Sequence, residues 1–397
     1  MSTQKPIRIG LVVPHIFMQD AVLPQVIFSP GTLALGLAEE LQNQGADVTL
    51  FSPGKVTTSV KNINADMSYF GQELAGRGDT YVDLLKKHPV TFISMARQVQ
   101  SELVAKAFAM ANSGQLDVVH IYTNEEDIAL PFVQFCRKPV VLTHHDPFTF
   151  LVKYKNVFPK YKHLNWLSVS LAQRAEMPLD TNWVGNIYHG LAEADFAPNY
   201  SPDGGYVAFL GRIIQPKGMH LAIEAVEQYN KSAAKPLRLK IAGKHYAGEK
   251  DTYWQRVAPL IDGKEIEYVG FVSGNAAKQE FLGNARALVV PSLFAEPFGM
   301  VAIEAMACGT PVVGLDSGAL PEVIQNGKNG FVIPKKYVES AGGKQVLDDQ
   351  ATAGAIAQKI AQVDNIDRQA CRRSFEQNFT LAHMAQGHLA AYRRVCG

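Results

Sequence analysis

The amino-acid sequence predicts an α/β protein with two doubly wound parallel-sheet domains, and three observations lead to this prediction. The chain has 397 residues, more than one ordinary hydrophobic core encloses. Residues 7–51 follow the order strand, loop, helix, strand, which is the unit of a parallel sheet. A second series of strands and helices starts at Tyr206. We expect the two domains to enclose a cleft, which is a usual place for ligands.

Composition and charge restrict the class of function. With 47% apolar and 19% charged residues, the chain resembles a soluble globular protein. A formal net charge of +1 gives no reason to expect nucleic acid as a partner. No apolar run reaches the length of about 18 residues that indicates a transmembrane helix. The first 13 residues lead into a strand without the features of a signal peptide. We therefore expect a cytoplasmic protein, and peripheral contact with a membrane stays open.

The first half of the chain carries the elements of one such domain in order. Residues 7–13 form a continuous apolar run with one Arg, as buried parallel strands do. Apolar side chains recur at helical spacing over residues 33–41, and residues 47–51 are the next strand. A long helix is expected at 91–112. The later strands of this half are expected at 117–122, 139–143, 166–170 and 182–188, and the domain ends at residue 192.

The second half starts after a polar segment rich in Pro and Gly, residues 193–205, which we interpret as the interdomain linker. The second domain is expected to span residues 206–378. Its strands are predicted at 206–210, 237–242, 266–269, 287–291, 311–314 and finally 331–333, and its helices at 219–229, 275–282 and 297–307. The amphipathic segment within residues 379–397 predicts a terminal helix that packs back on the first domain.

The most informative stretch is residues 291–322, PSLFAEPFGMVAIEAMACGTPVVGLDSGALPE. Glu296 lies in the loop between a buried strand and a helix. Pro297 and Phe298 are expected at the start of that helix, because Pro is favoured in a first helical turn. The helix then carries Glu304, so this unit places one carboxylate before the helix and one inside it.

The start of this helix is a candidate anion site. The free N–H groups of Gly299, Met300 and Val301 point out of the helix and favour a group such as a diphosphate. Glu304 lies about 7 Å further along the axis at about 1.5 Å per residue, a suitable offset for the hydroxyls of a ribose. Glu296 would face a donor sugar. The alternative is a surface glutamate and a glutamate that complements the helix dipole.

A basic loop follows the first strand of the second domain. Gly211 and Gly218 allow tight backbone turns, and Arg212 and Lys217 between them can reach one anion. The helix dipole disfavours cations at a helix start, so two cations there indicate an anion supplied from outside. A solvated basic loop is the alternative interpretation.

Two other strand ends are expected at the same edge of the sheet. Gly243 and Lys244 end one strand, and Phe271 and Val272 follow another. Because the carboxyl ends of parallel strands meet at one edge, backbone groups there could contact a base, with Phe271 or Val272 packing against it. Ordinary strand-end turns explain these residues equally well.

His144, His145 and Asp146 end a strand of the first domain. One histidine could contact the donor sugar or help to deprotonate an acceptor hydroxyl. A structural histidine that bonds a neighbouring loop is the alternative. A metal site lacks a third ligand in the sequence. The chain has no Asp-x-Asp, so a diphosphate held by Mg²⁺ is not supported, and we expect no metal.

These motifs together resemble a known family. The block EPFGMVAIEAMACGTPVV at residues 296–313 is similar to the retaining glycosyltransferases of the GT-B fold, the family-four group with the E-x7-E pattern. Residues 211–218, 241–244 and 268–270 fall in the order and spacing of that family. In the first half, segments of the chain resemble the branch of the avilamycin-type transferase, namely SLAQR at 170–174 and YHG at 188–190. The resemblance covers residues 117 to about 335.

The resemblance implies a nucleotide-sugar donor, most often a UDP-sugar, and no resident cofactor. Arg212 and Lys217 would hold the diphosphate, Glu304 the ribose hydroxyls and Glu296 the donor sugar. His145 corresponds to the cleft histidine of the family. The acceptor would be a hydroxyl of a saccharide, a lipid-linked group or a small molecule.

Two departures in the first half leave the acceptor open. Residues 29–32 read SPGT where a Gly-Gly pair is usual, and residues 188–190 read YHG where Tyr-Asn-Gly is common. The segment 51–115 gives the weakest pattern and could hold acceptor contacts.

The predicted function is transfer of a hexosyl group to a hydroxyl with retention at the anomeric carbon. The resemblance suggests a same-face displacement in which the leaving phosphate helps to deprotonate the acceptor. Two alternatives stay open. One is another GT-B enzyme, a sugar phosphorylase or a nucleotide-sugar epimerase. The other is a module that binds nucleotide sugars without turnover.

Overall fold

The structure is a computed structural model that describes residues 5–397 except residues 24, 25, 27, 124, 246–250 and 341, and residue 126 by its backbone alone. The chain divides into two compact units, one of Met1–His189 with Leu381–Gly397 and one of Gly190–Thr380. The segment 193–205, predicted as a linker, is counted with the second unit, and the terminal segment with the first.

The first unit contains a seven-stranded sheet in which every pair of neighbours is parallel. Its order is β3-β2-β1-β4-β5-β6-β7, with the strands β1 (Arg8–Val12), β2 (Asp47–Ser52), β3 (Lys61–Asn64), β4 (Val118–Ile121), β5 (Val140–Thr143), β6 (Asn165–Ser168) and β7 (Trp183–Asn186). Strand β1 is an interior strand, where Leu11 pairs with Leu50 on one side and with His120 on the other. Ile9 and Leu11 are fully buried, as an interior parallel strand requires.

The second unit contains a six-stranded parallel sheet and a two-stranded hairpin. The order of the large sheet is β10-β9-β8-β11-β12-β13, and the strands are β8 (Tyr206–Leu210), β9 (Arg238–Ala242), β10 (Ile266–Gly270), β11 (Leu288–Val290), β12 (Val312–Leu315), β13 (Gly330–Ile333), β14 (Tyr337–Glu339) and β15 (Gln345–Leu347). Two doubly wound parallel sheets confirm the predicted fold class.

The helices surround these sheets. They are α1 (Ser29–Asn43), α2 (Ser68–Arg77), α3 (Tyr81–Lys87), α4 (Pro89–Asn112), α5 (Val152–Val157), α6 (Leu171–Arg174), α7 (Met219–Asn230), α8 (Thr252–Val257), α9 (Asn275–Gly283), α10 (Met300–Ala307), α11 (Leu320–Val323), α12 (Asp349–Ile360), α13 (Arg368–Asn378) and α14 (Leu381–Cys396). In the part of the chain that is described, no helix is long and apolar enough to span a membrane.

Helix α14 packs within the first unit, as two hydrogen bonds show. The Gln44 side chain donates to the carbonyl of Ala382 over 3.1 Å, and Arg394 donates to the carbonyl of Val184 in β7 over 2.8 Å. A side chain at Gly387 would begin 3.2 Å from Ile187, so the glycine permits close approach of the helix to the end of β7.

The region 51–115 contains elements that the sequence pattern did not indicate. Strand β3 is the edge of the sheet and is only half-buried, so it has no apolar run. Helix α3 starts at a capping box in which the Thr80 hydroxyl accepts from the amide of Asp83 and the Asp83 carboxylate accepts from the amide of Thr80. Helix α4 was predicted, at residues 91–112, and it begins two residues earlier at Pro89, because a proline is well placed at a first helical position.

Two expectations for the second unit are wrong in detail. Strand β13 is not the last strand, since the exposed hairpin β14–β15 follows it. Helix α10 begins at Met300, and Pro297 and Phe298 lie before it. Gly299 is the residue that caps the helix, and its φ of 98° is in the left-handed region that glycine adopts without strain.

Candidate functional site

The carboxyl edge of the six-stranded sheet is assembled by close backbone contacts between strand ends. A Cβ at Gly218 would lie 2.0 Å from the carbonyl oxygen of Pro291, and a Cβ at Gly243 would lie 1.9 Å from that of Gly211. Only glycine permits such approaches, so these positions hold the loops after β8, β9 and β11 against one another. This edge therefore gathers the predicted site residues of the second unit.

Lys217 and Glu296 form an ion pair at this edge. The Nζ atom of Lys217 lies 2.6 Å from Oε1 of Glu296, whose side chain is only 6% exposed. The hydroxyl of Ser292 donates to the same carboxylate oxygen. The ammonium also lies 4.8 Å from the centre of the Phe294 ring. The sequence patterns assigned Lys217 and Glu296 to separate parts of a ligand, whereas the structure brings the two side chains into direct contact.

The loop that carries Glu296 is fixed from the next strand end. The amide of Ala319 donates to the carbonyl of Glu296 over 2.9 Å. Gly318 has a φ of 58°, and a Cβ there would lie 2.2 Å from that same carbonyl oxygen. Lys335 donates to the carbonyl of Leu293 over 3.0 Å and to the hydroxyl of Ser317 over 2.7 Å, and burial lowers the pKa of its ammonium. These contacts preset the position of the Glu296 backbone.

Arg212 differs from Lys217 in its surroundings. Its side chain is exposed, and no hydrogen bond or ion pair of the guanidinium is found within the described residues. A guanidinium offers donors in a planar fork that suits a phosphate. Arg212 is thus a cation at this edge that needs no rearrangement before it binds an anion.

The N-terminus of α10 also has unused donors. Gly299 caps this helix without a side-chain hydrogen bond. Among the residues that the structure describes, the amides of Met300 and Val301 have no hydrogen-bond acceptor. Free amides and the helix dipole favour an anion at this end.

Glu304 is buried inside α10 with two unlike carboxylate oxygens. Its Oε1 atom accepts from the ammonium of Lys278 on α9 over 2.7 Å. Its Oε2 atom is buried, and the described part of the chain contains no hydrogen-bond partner for it. A buried acceptor without a partner is costly, and a bound ligand with a hydroxyl group would satisfy it.

The residues predicted to contact a base lie in unlike environments. Phe271 is 43% exposed, and the ammonium of Lys244 lies 4.3 Å from the centre of its ring. Val272 is half-buried. The Phe298 side chain is 2% exposed and packs on Phe379 at 6.0 Å between ring centres, so its ring is not accessible to a ligand.

In the first unit, His145 lies against other aromatic side chains. Its ring stacks on that of His189 at 5.1 Å between centres, and Tyr122 lies 4.6 Å away. Burial lowers the pKa of His145 well below the usual range, and the neighbouring histidines lower it further. Burial also lowers the pKa of His189 to about 3. Both rings are therefore neutral near pH 7.

The segment that carries His145 is held by residues 170–174. The side-chain amide of Gln173 donates to the carbonyl of His144 over 2.8 Å and to that of Asp146 over 3.1 Å. The hydroxyl of Ser170 caps α6 by accepting from the amide of Gln173. His144 itself packs among aromatic rings, and burial lowers its pKa to about 4. The residues 170–174 thus position the backbone beside His145.

Sequence reasoning missed three side chains of the second unit: Lys278, Ser292 and Lys335. Lys278 falls in a predicted helix, but a lysine there looks like any solvated surface residue. Lys278 and Lys335 meet their partners through packing between distant segments, so no local pattern marks them. Ser292 lies only four residues before Glu296, and that spacing is the local signal that could have indicated its contact. No group of three metal-ligating side chains occurs within the described ranges.

Comparisons with known proteins agree with this fold. Residues 192–362 match the family described as glycosyl transferases group 1. The phosphatidyl-myo-inositol mannosyltransferase of Mycolicibacterium smegmatis is 26% identical over 379 residues, which cover 91% of this chain and 90% of that protein.

Two solved structures share the fold over nearly the whole chain. A glycosyltransferase of avilamycin A biosynthesis is 18% identical with a TM-score of 0.65, and the match covers 98% of each chain. The Anabaena protein HepE, solved in complex with UDP and glucose, is 16% identical with a TM-score of 0.64, and the match covers 98% of this chain and 100% of that one. Taken with the two parallel sheets, these matches show that the chain has the GT-B fold, and its residues 192–362 are similar to the glycosyl transferases group 1.

Proposed function

We propose that this enzyme transfers a hexosyl group from a nucleoside diphosphate sugar to a hydroxyl acceptor, with retention at the anomeric carbon and without a metal ion. A UDP-sugar is the proposed donor, since the related fold of HepE was solved with UDP. The observation that carries the proposal is Glu304, whose buried Oε2 lacks a partner among the described residues and lies on the helix whose N-terminal amides are unused.

The diphosphate is proposed to lie at the N-terminus of α10. The amides of Met300 and Val301 and the guanidinium of Arg212 would donate to its oxygens. Glu304 lies four residues into α10, about 6 Å along the axis at about 1.5 Å per residue, so its Oε2 can accept from a ribose hydroxyl. The cationic side chains supply the charge that a divalent ion would otherwise provide.

Lys217 and Glu296 are proposed to act as a pair on the reacting end of the donor. The ammonium would face the phosphate, and the carboxylate would accept from hydroxyls of the sugar. Their contact at 2.6 Å supports a joint role, because a ligand that displaces one side chain must compensate the other.

The proposed step breaks the bond between the anomeric carbon and the diphosphate oxygen. The acceptor oxygen bonds to the anomeric carbon on the same face, and its proton passes to the departing phosphate. The main task of the protein is to stabilise negative charge on that phosphate. Loss of one preorganised donor typically costs roughly 3–4 kcal/mol of barrier.

His145 is proposed to hydrogen-bond a substrate hydroxyl in its neutral form. Its lowered pKa excludes a charged imidazolium near pH 7, so the ring can accept a hydrogen bond as well as donate one. That hydroxyl can belong to the transferred sugar or to the acceptor, because a neutral imidazole serves either.

The test is release of UDP from a panel of UDP-hexoses, measured with the wild-type enzyme, Arg212→Ala and Arg238→Ala. Arg238 is an exposed arginine at the first residue of β9, which is the opposite end of that strand from the candidate site. We expect Arg212→Ala to lower UDP release at least a hundredfold and Arg238→Ala to leave it within about twofold. Equal rates for wild type and Arg212→Ala would refute the site, and phosphate-dependent cleavage of a disaccharide would indicate a phosphorylase instead.

A further inference from the structure

The carboxylate of Glu304 is held from one side only. Its Oε1 atom lies 2.7 Å from Nζ of Lys278, and its Oε2 atom is buried without a partner among the described residues. The Glu304 side chain is 7% exposed and that of Lys278 is 28% exposed. The pair therefore consists of a buried acceptor and a cation that reaches the surface.

This contact has two physical consequences. Lys278 compensates a carboxylate that would otherwise be buried without a counter-charge, which is strongly unfavourable. A hydrogen bond to Oε1 also fixes the rotation of the carboxylate, so that Oε2 is the oxygen left for a ligand.

Within the described residues, the Lys278 ammonium has donors that no acceptor uses. An ammonium group has three N–H donors, and the contact with Glu304 uses one of them. A carboxylate oxygen beside an ammonium offers one acceptor and one donor at neighbouring positions. Adjacent hydroxyl groups match this arrangement, because each hydroxyl both donates and accepts.

We infer that Lys278 is a positioning residue that orients Glu304 and makes the subsite select a ribose over a 2′- or 3′-deoxyribose. This inference rests on the proposed function, because it takes the ligand of Glu304 to be the ribose of a nucleoside diphosphate. It goes further in assigning the selectivity to the Lys278–Glu304 pair rather than to the glutamate alone.

The experiment measures dissociation constants by isothermal titration calorimetry for UDP, 2′-deoxy-UDP and 3′-deoxy-UDP. The proteins are wild type, Lys278→Met, Lys278→Arg and the control Lys264→Met. Lys264 is an exposed lysine in the second unit, outside the site. For wild type and Lys264→Met we expect UDP to bind roughly ten- to a hundredfold tighter than at least one deoxy analogue, the range for a charged acceptor that loses its donor.

In Lys278→Met we expect the affinity for UDP to fall about tenfold and the preference over the deoxy analogues to shrink to within twofold. Lys278→Arg should restore part of both, since a guanidinium can also hold Oε1. If Lys278→Met weakens UDP and both analogues by the same factor, the lysine has only a structural role and the inference is refuted.

A double-mutant comparison guards against misfolding of Lys278→Met. In Glu304→Gln the neutral amide needs no counter-charge, so adding Lys278→Met should change the affinity for UDP by less than about twofold. A further tenfold loss in that double variant would show that Lys278 acts independently of Glu304 and would overturn the inference. A wild-type protein that binds none of UDP, GDP and ADP would instead refute the proposed function.

Discussion

At its candidate site the second unit buries two carboxylates, whereas the candidate site of the first unit buries neutral histidines. The side chains of Glu296 and Glu304 are 6% and 7% exposed, and each contacts the ammonium of a lysine. The first unit contains a set of buried aromatic side chains, here called the histidine cluster, made of His120, Tyr122, His145, His189, His388 and Tyr392.

The histidine cluster is joined by hydrogen bonds between uncharged groups. His120 Nδ1 lies 2.7 Å from the hydroxyl of Tyr392, and His120 Nε2 lies 2.8 Å from that of Thr143. On α14, Nδ1–H of His388 donates to the carbonyl of Met384 over 2.8 Å. Burial lowers the pKa of His388 to about 4 and that of His120 well below the usual range.

The difference indicates which change lowers the stability of each unit. A buried ion pair fails when one partner is removed, because the other charge stays behind without compensation. A buried neutral histidine lowers the free energy of unfolding as the pH falls, because the unfolded chain binds a proton that the folded chain does not bind. The carboxyl edge of the six-stranded sheet, with its lysine–glutamate pairs, suits an anionic ligand. The histidine cluster suits a structural core or uncharged hydroxyl groups.

The largest expected effect is the loss of Lys217. In Lys217→Met we expect turnover of the donor to fall by roughly a hundred- to a thousandfold, because one preorganised cation is lost. We also expect the free energy of unfolding to fall by about 2 kcal/mol. This is less than for a fully buried pair, since the Lys217 side chain is 21% exposed. Steady-state kinetics and urea unfolding followed by circular dichroism measure the two effects.

The matched control for Lys217→Met is the double variant Lys217→Met/Glu296→Gln. It removes both charges, so most of the lost stability should return while turnover stays low. Equal stability of the single and double variants would contradict the view that the second unit buries charge at a cost.

A second effect concerns the contact that fixes the loop of Glu296 at the carboxyl edge of the six-stranded sheet. Gly318 and Gly327 both have positive φ angles, of 58° and 75°, but their surroundings differ. A Cβ at Gly318 would lie 2.2 Å from the Glu296 carbonyl oxygen, whereas a Cβ at Gly327 would meet no described atom within 4 Å. Both alanine variants carry the backbone strain of about 1–2 kcal/mol. Gly318→Ala should lose at least about 2 kcal/mol more than Gly327→Ala, since the clash is with backbone.

Urea unfolding and donor turnover measure the difference between the two glycine variants. Gly318→Ala should also lower turnover at least tenfold because the Glu296 loop must move, whereas Gly327→Ala should keep nearly full activity. Similar losses in both variants would show that the position of Glu296 does not depend on this contact.

Strand positions followed from the sequence because buried parallel strands are apolar over their whole length. The runs at β1, β8 and β12 show this directly. The edge strand β3 and the exposed hairpin β14–β15 lack such runs, and neither was predicted from the sequence. Apolar periodicity therefore reports burial, and elements that are not buried give no such signal.

The site was predictable only in part, for a related reason. Glu296 and Glu304 stand out because they interrupt an apolar strand–loop–helix unit. Lys278 meets Glu304 only because α9 packs on α10, and Lys217 meets Glu296 only because two strand-end loops touch. Such contacts arise from tertiary packing, which a linear pattern does not encode.

The smallest expected effect is the contribution of the histidine cluster to the pH dependence of the free energy of unfolding. The pKa of His388 is about 4 in the folded chain and about 6.5 in an unfolded one. Between these values the unfolded chain binds a proton and the folded chain does not. Stability is therefore lost as the pH falls from about 6.5 toward 4, by roughly 1 kcal/mol per pH unit for this histidine, and it does not vary for this reason above about pH 7.5.

Removing His388 should flatten that dependence. His388→Gln is expected to lower stability at pH 7.5, since the neutral hydrogen bond to Met384 is lost, but to lose roughly 1–2 kcal/mol less than wild type between pH 6.5 and 5. His163→Gln, at an exposed histidine, should match wild type. Urea unfolding is followed by tryptophan fluorescence in a Trp254→Phe background, because Trp166 and Trp183 lie in the first unit and Trp254 in the second.

An unchanged pH slope in His388→Gln would assign the acid sensitivity to the remaining histidines, among which His120 and His189 have pKa values lowered by burial and by His388 itself. A steeper slope would contradict the contrast between the two units, because it would require His388 to be charged in the folded chain. In that case the histidine cluster would bury a charge, as the candidate site of the second unit does.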